Sequence, residues 1–160
     1  MNNAKLRFIA DNAAHFFANE LHMACSVVSD EVLSCGRIGL SFVTVSIDIE
    51  DDLESTVVIG FGKELMEAVC REYTKGLPNI SAKETDILED TAADVANIVV
   101  GNSMSIFQND SRRAVHIGLP TMARNDIWVC GDDTLMRSTL STDFGSMEIY
   151  LICKNDTGDD

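Results

Sequence analysis

Runs of alternating apolar residues, separated by short turns, constrain the fold of this 160-residue chain more than any other feature. The clearest run covers 38–49, where apolar residues alternate in one phase up to Phe42 and in the opposite phase from Val43. A bulge or bend near 42–43 would account for this change of phase. The other segments that read as strands are 26–34, 55–61, 114–119, 127–130, 135–142 and 146–153. Because the strands follow one another through short turns, we expect a largely antiparallel sheet.

Helices are predicted before and between these groups of strands. The first covers 5–23, where apolar residues recur mostly at steps of three and four. The second covers 63–75 and ends at Gly76, a residue type that commonly terminates helices. The segment 81–84 has the sequence of a capping box, which favours a helix start, and the helix that it opens extends to about 107.

The order of these elements predicts an α+β fold in which each half of the chain is a helix that leads several strands. We expect long helices packed on the sheet, with the two halves related by a pseudo-duplication. The length fits one compact domain, which we place at 1–154. The acidic residues 155–160 are predicted to form a flexible tail.

Charge and cysteine usage narrow the functional class. The net charge is −14, which disfavours binding to nucleic acid or to an anionic membrane and suits a partner with a basic face. The five cysteines are scattered, odd in number and without a CxxC pair, which is typical of reduced thiols in a cytoplasmic protein and not of a zinc site. No segment reads as a signal peptide or as a membrane span.

The helix predicted to end near 107 carries the pattern most suggestive of a site. At 100° per residue, Asp90, Asp94, Asn97 and Gly101 fall in one narrow stripe. Apolar residues fall on the opposite side, which is expected to pack on the sheet: Leu88, Ala92, Val95, Val99 and Ile106. An acidic stripe of this kind is also what an ordinary solvated helix face displays, so the helical pattern alone does not establish a site.

The spacing of these residues is more informative than the stripe itself. Three residues separate Asp90 from Asp94, two separate Asp94 from Asn97, and twenty-two separate Asn97 from Pro120. This arrangement resembles the signature of the CheC, CheX and FliY phosphatases, which has Asp or Ser, then Glu, Asn and Pro at the same separations. The chain departs from it at Asp94, where the family has Glu. Similarity to the CheX branch extends over Ser55–Leu65, Ala93–Ser103 and Phe144–Ile152.

A single copy of the signature, on the later helix, resembles CheX more than CheC, whose members typically carry two. The resemblance implies a phosphatase that accelerates dephosphorylation of an aspartyl-phosphorylated, CheY-like response regulator in chemotaxis or another two-component pathway. It implies that Asn97 aligns the attacking water, that Asp94 contacts a lysine of the regulator and that Pro120 is structural. We expect Asp90, Gly101 and Met104 to contact the partner.

The resemblance also implies that this cytoplasmic chain binds no metal or cofactor of its own, since Mg²⁺ arrives with the regulator. It further implies a homodimer built by sheet pairing. Two alternatives stay open. Because Asp94 is one methylene shorter than Glu, the chain could be a non-catalytic module that binds regulators or assembles a signalling complex. A small-molecule sensor would instead need an enclosed apolar pocket.

Overall fold

The three predicted helices and most of the predicted strands are present in the computed structural model, which describes residues 2–33, 36–51, 54–77, 84–111, 114–129 and 131–154. The helices in these ranges are α1 (Asn2–Asn19), α2 (Lys63–Tyr73) and α3 (Thr85–Ser111). The strands in them are β1 (Cys25–Leu33), β2 (Gly36–Ile38), β3 (Val43–Glu50), β4 (Ser55–Phe61), β5 (His116–Ile117), β6 (Thr121–Met122), β7 (Ile127–Val129), β8 (Thr134–Thr142) and β9 (Gly145–Cys153).

One seven-stranded sheet has the order β1-β8-β9-β4-β3-β5, and β6 also pairs with β3. All pairings between the described strands are antiparallel. The two halves of the chain exchange strands, since β1 pairs with β8, and β5 and β6 pair with β3. The α+β class and the antiparallel sheet are therefore confirmed, and the strand order is one that two related halves would produce.

The main core lies between the helices and one face of the sheet, because strand side chains alternate between the two faces. Val57, Ile59 and Phe61 of β4 point toward the helices and are at most 1% exposed. Ile9 and Phe17 of α1 are fully buried against the same core. The periodicity that predicted the first helix is thus the periodicity of its buried side.

The predicted single strand over 38–49 is wrong in its first part. β2 ends at Ile38, β3 begins at Val43, and β2 pairs with β7 in a separate two-stranded sheet. Ile38 belongs to a small buried cluster with Val58 and Tyr150, whose side chains lie on the sheet face that points away from the helices. The change of phase therefore occurs where the chain passes from β2 to β3, whose buried side chains pack on opposite faces of the sheet.

The helix ends also differ from the predictions. α1 ends at Asn19 and not at 23, because His22 has a φ of 53°, a left-handed conformation that terminates a helix. Residues 81–83 of the predicted capping box and the predicted tail, 155–160, lie outside the described residues.

A buried ion pair joins α1 to the end of the sheet. The Nζ of Lys5 lies 2.6 Å from Oδ2 of Asp51 and 3.3 Å from Oγ of Ser55. The side chains of Lys5 and Asp51 are only 3% and 8% exposed. The Lys5 ammonium also lies 5.9 Å from the centre of the Phe107 ring on α3. Lys5 on α1 therefore contacts Asp51, Ser55 at the start of β4 and Phe107 on α3.

Replacing Lys5 with Ala should lower the free energy of unfolding by about 3 kcal/mol, because it removes the cation from beside a buried carboxylate. Arg7→Ala is the matched control, since Arg7 and its partner Asp30 are 58% and 42% exposed. We expect the control to cost less than about 1 kcal/mol. Urea denaturation of both variants checks the prediction, and equal losses would contradict it.

Candidate functional site

Helix α3 presents its polar residues to solvent because its apolar side packs on β3 and β6. The residues on the buried side are at most 2% exposed: Leu88, Ala92, Val95 and Val99. Asp90, Asp94 and Asn97 are exposed on the opposite side, and Gly101 is partly exposed there. We call these four residues the α3 stripe. The arrangement predicted from helical spacing is present, and the roles assigned to its members stay predictions.

Helix α2 lies along one side of the α3 stripe. Cys70 Sγ and Thr91 Oγ1 are 3.7 Å apart, and three residues further along each helix Tyr73 meets Asp94. Partial burial raises the pKa of Tyr73, and the charge of the Asp94 carboxylate and a hydrogen bond with it raise that pKa further. The candidate acid therefore lies close enough to a tyrosine of the neighbouring helix for the two side chains to interact.

The chain segment from β5 to β6 lies along the other side of the stripe. A Cβ added at Gly101 would lie 3.4 Å from Cδ1 of Ile117, so this strand passes close to the helix. Arg124 donates hydrogen bonds of 2.6 and 3.0 Å to the two carboxylate oxygens of Glu89. These bonds lower the pKa of Glu89 and raise that of Arg124. The segment is thus joined to α3 near Gly101 and again near Glu89.

Pro120 lies in a bulge of the sheet edge between these two contacts. Ile117 pairs with Ile49, and Thr121 pairs with Ser46, so four steps on the edge segment oppose three on β3. One residue is therefore extra, which pushes the backbone away from the ladder. Proline has no N–H to donate, and such an edge position suits it. This geometry agrees with a structural role for Pro120.

Two residues of α3 are placed differently from the prediction. Met104, predicted to contact a partner, is 2% exposed and belongs to the core, so its side chain is not available at this surface. Ile106, predicted on the buried side, is 41% exposed. The physical reason is that the end of α3 packs on α1, where the Phe107 and Phe8 ring centroids are 5.9 Å apart. The buried side of the helix therefore turns around its axis near residue 103.

No family model and no curated protein matches this chain. Solved structures do match. A CheC-like superfamily protein from Shewanella sp. PV-4 has a TM-score of 0.80 at 13% identity, over 97% of this chain and 100% of that one. The chemotaxis protein CheX from Desulfovibrio desulfuricans has a TM-score of 0.78 at 10% identity, over 94% and 99%. This chain has the CheX fold.

A third matching structure is that of a complex. It is the CheX–CheY–BeF₃–Mg²⁺ complex from Borrelia burgdorferi, with a TM-score of 0.69 at 14% identity over 94% of this chain and 97% of that one. Identities this low establish the shared CheX fold and nothing finer, because one fold hosts many functions. The predicted fold is confirmed, and any activity depends on the side chains of the site.

Within the CheX fold of this chain, sequence reasoning missed the neighbours of the stripe. Tyr73 on α2 and Arg124 after β6 were not singled out, because no local pattern links a residue to a partner tens of positions away. Among the described residues, no group of three or more His, Cys, Asp or Glu side chains could hold a metal ion. No described helix is both long and apolar enough to cross a membrane.

Replacing Asp94 with Asn should lower the pKa of Tyr73, because the nearby carboxylate disfavours the charged tyrosinate. Burial should still hold that pKa above its ordinary value. An ultraviolet absorbance titration in a Tyr150→Phe background reports Tyr73 alone, since the chain has two tyrosines. Asp90→Asn, one turn earlier on the stripe, should leave the titration unchanged. An unchanged pKa in Asp94→Asn would contradict the contact between the two side chains.

Proposed function

We propose that this protein accelerates the loss of the phosphoryl group from an aspartyl-phosphorylated, CheY-like response regulator. The observation that carries the proposal is the exposed carboxamide of Asn97, which lies near the Asp94 carboxylate on the solvent-facing side of α3. Their spacing to Pro120 resembles the signature of the CheC, CheX and FliY phosphatases. The solved complex of a CheX with CheY, BeF₃ and Mg²⁺ supports the choice of partner.

The reaction suits a neutral polar group such as Asn97. A water molecule attacks the phosphorus, the bond between phosphorus and the aspartyl oxygen breaks, and inorganic phosphate and a free carboxylate result. Phosphoryl transfer leaves little covalent chemistry for the helper protein, so most of its contribution is positioning. A carboxamide can accept one hydrogen bond from the water and donate another without adding negative charge near the phosphoryl oxygens.

Asp94 has a different role in this proposal. Its carboxylate pairs with the lysine in the active site of the regulator and so fixes the docked orientation. Charge supports this assignment, because Asp86, Asp90 and Asp94 are exposed along the same side of α3 and the whole chain carries −14. The regulator supplies Mg²⁺ and its own metal-binding carboxylates, and the proposal needs no cofactor from this chain.

Asn97→Ala should return phosphate release to the rate of the regulator alone, because the water is no longer aligned. The measurement is phosphate release from a phosphorylated CheY-like regulator with and without the variant. Asn102→Ala is the matched control, since Asn102 is also exposed on α3 but lies about 140° around the helix from Asn97. The control should keep full activity.

The proposal fails if the unmodified protein does not accelerate release from any regulator of the same cell. It also fails if Asn97→Ala and Asn102→Ala accelerate release equally well. Circular dichroism of both variants excludes loss of the helix as the cause of a change.

A non-catalytic regulator-binding module is the second candidate, and the environment of Asp94 favours it. The side chain is shorter than the Glu of the resembled signature, and Tyr73 already interacts with it. A carboxylate set back by about 1 Å can cost about 10²-fold in rate when alignment matters. The native protein would then bind a regulator and accelerate the loss of its phosphoryl group little or not at all.

Asp94→Glu separates these two functions. If the protein is a phosphatase limited by the reach of its acid, the longer side chain should raise kcat/KM by up to about 10²-fold. Asp11→Glu makes the same change at an exposed position of α1, outside the α3 stripe, and should have little effect. The initial rate, measured as a function of regulator concentration, gives kcat and KM. A regulator that binds wild type and Asp94→Glu without faster release from either would favour the binding module.

A further inference from the structure

Leu119 has the largest exposed fraction of the large apolar side chains in the described part of the chain, at 87%. Single exposed apolar residues are common on protein surfaces and need no explanation by themselves. The position of Leu119 is what distinguishes it, because it precedes Pro120 in the bulge at the sheet edge beside the α3 stripe.

The contacts of this segment place Leu119 alongside α3. Ile117 lies against Gly101, and the chain then runs toward Arg124, which is bound to Glu89. Leu119 therefore lies on the part of the segment that flanks α3 between Gly101 and Glu89, and Asn97 lies on the same part of the helix.

We propose that Leu119 is an apolar anchor that inserts into the response regulator next to its phosphorylation site. This inference rests on the proposed function and adds a second point of contact to it. The stripe supplies polar and acidic groups, and Leu119 supplies an apolar group beside them. The surface it fits is an apolar depression next to a cationic group on the receiver domain of the regulator.

Charge argues for the regulator and against a second copy of this chain. In a two-fold symmetric contact the same surface meets itself, so Asp90 and Asp94 would face the same carboxylates of the other copy. Like charges brought together in this way oppose association. Among the described residues, Arg124 is a cation on this flank, and it is already neutralised by its two hydrogen bonds to Glu89. A partner with positive charge is therefore the better occupant.

The anchor should affect binding and not the chemical step. Leu119 carries no group that can orient water or stabilise charge on the phosphoryl oxygens. Its contact is the same before and during the reaction, and such uniform binding changes KM and leaves kcat unchanged. Asn97, which orients the water, acts on kcat instead, so the two residues can be separated by kinetics.

Leu119→Ser should raise the KM for the phosphorylated regulator by about tenfold and change kcat by less than about twofold, a size typical of an interface anchor. Val32→Ser is the matched control, because Val32 is 67% exposed but lies on β1 at the opposite edge of the sheet. The control should keep both constants. Leu119→Met, which keeps an apolar side chain of similar size, should stay close to wild type.

Binding measured without turnover provides the second readout. A CheY-like receiver domain loaded with BeF₃ and Mg²⁺ is titrated against each variant, with the fold checked by thermal melting. We expect Leu119→Ser to weaken binding about tenfold and Val32→Ser to bind as wild type.

An unchanged dissociation constant for Leu119→Ser, with wild-type acceleration intact, would overturn the anchor and leave the phosphatase proposal standing. Absence of both binding and acceleration in wild type would overturn the two together. A change of oligomeric state in Leu119→Ser, seen by light scattering, would assign the residue to self-association and overturn the anchor.

Discussion

The packing of the apolar side of α3 on the edge of the sheet is the constraint on which the candidate site depends. A 27-residue helix can expose only the side chains that packing leaves outside, and β3 and β6 cover the side that carries Val95 and Val99. Asp94 and Asn97, on the opposite side of the helix, are therefore presented to solvent. The direction in which these two side chains point is therefore set by the packing of α3 in the core. Any change that rotates α3 would move both side chains together.

The chemistry of the site comes from its neighbours more than from the CheX fold, which by itself does not specify an activity. On one flank Tyr73 interacts with Asp94, and on the other Arg124 binds Glu89. Asn97 is exposed near the Asp94 carboxylate on α3, and the segment that carries Leu119 runs along the same helix. A neutral hydrogen-bonding group in that position suits the alignment of water, and the surrounding carboxylates suit a cationic partner.

Sequence patterns predicted most elements because each pattern reflects a local rule. Strand β4 was predicted with its observed bounds, 55–61, since alternation and flanking turns are properties of the segment itself. The predictions are wrong where contacts between residues far apart in the sequence determine the local structure. The run 38–49 divides because β2 pairs with β7 far along the chain, and Met104 is buried because α1 covers the end of α3. No local pattern contains either contact.

The amino-acid sequence alone determined the spacing from Asp90 to Pro120, the stripe on α3, the net charge and the order of helices and strands. These depend on helical and strand periodicity, which act over a few residues. Only the tertiary structure decided that Tyr73 lies near Asp94 and that the segment carrying Leu119 runs alongside the part of α3 that carries Asn97. Such pairs bring together residues about twenty positions apart, and their distance depends on how helices and strands pack, which a local pattern does not encode.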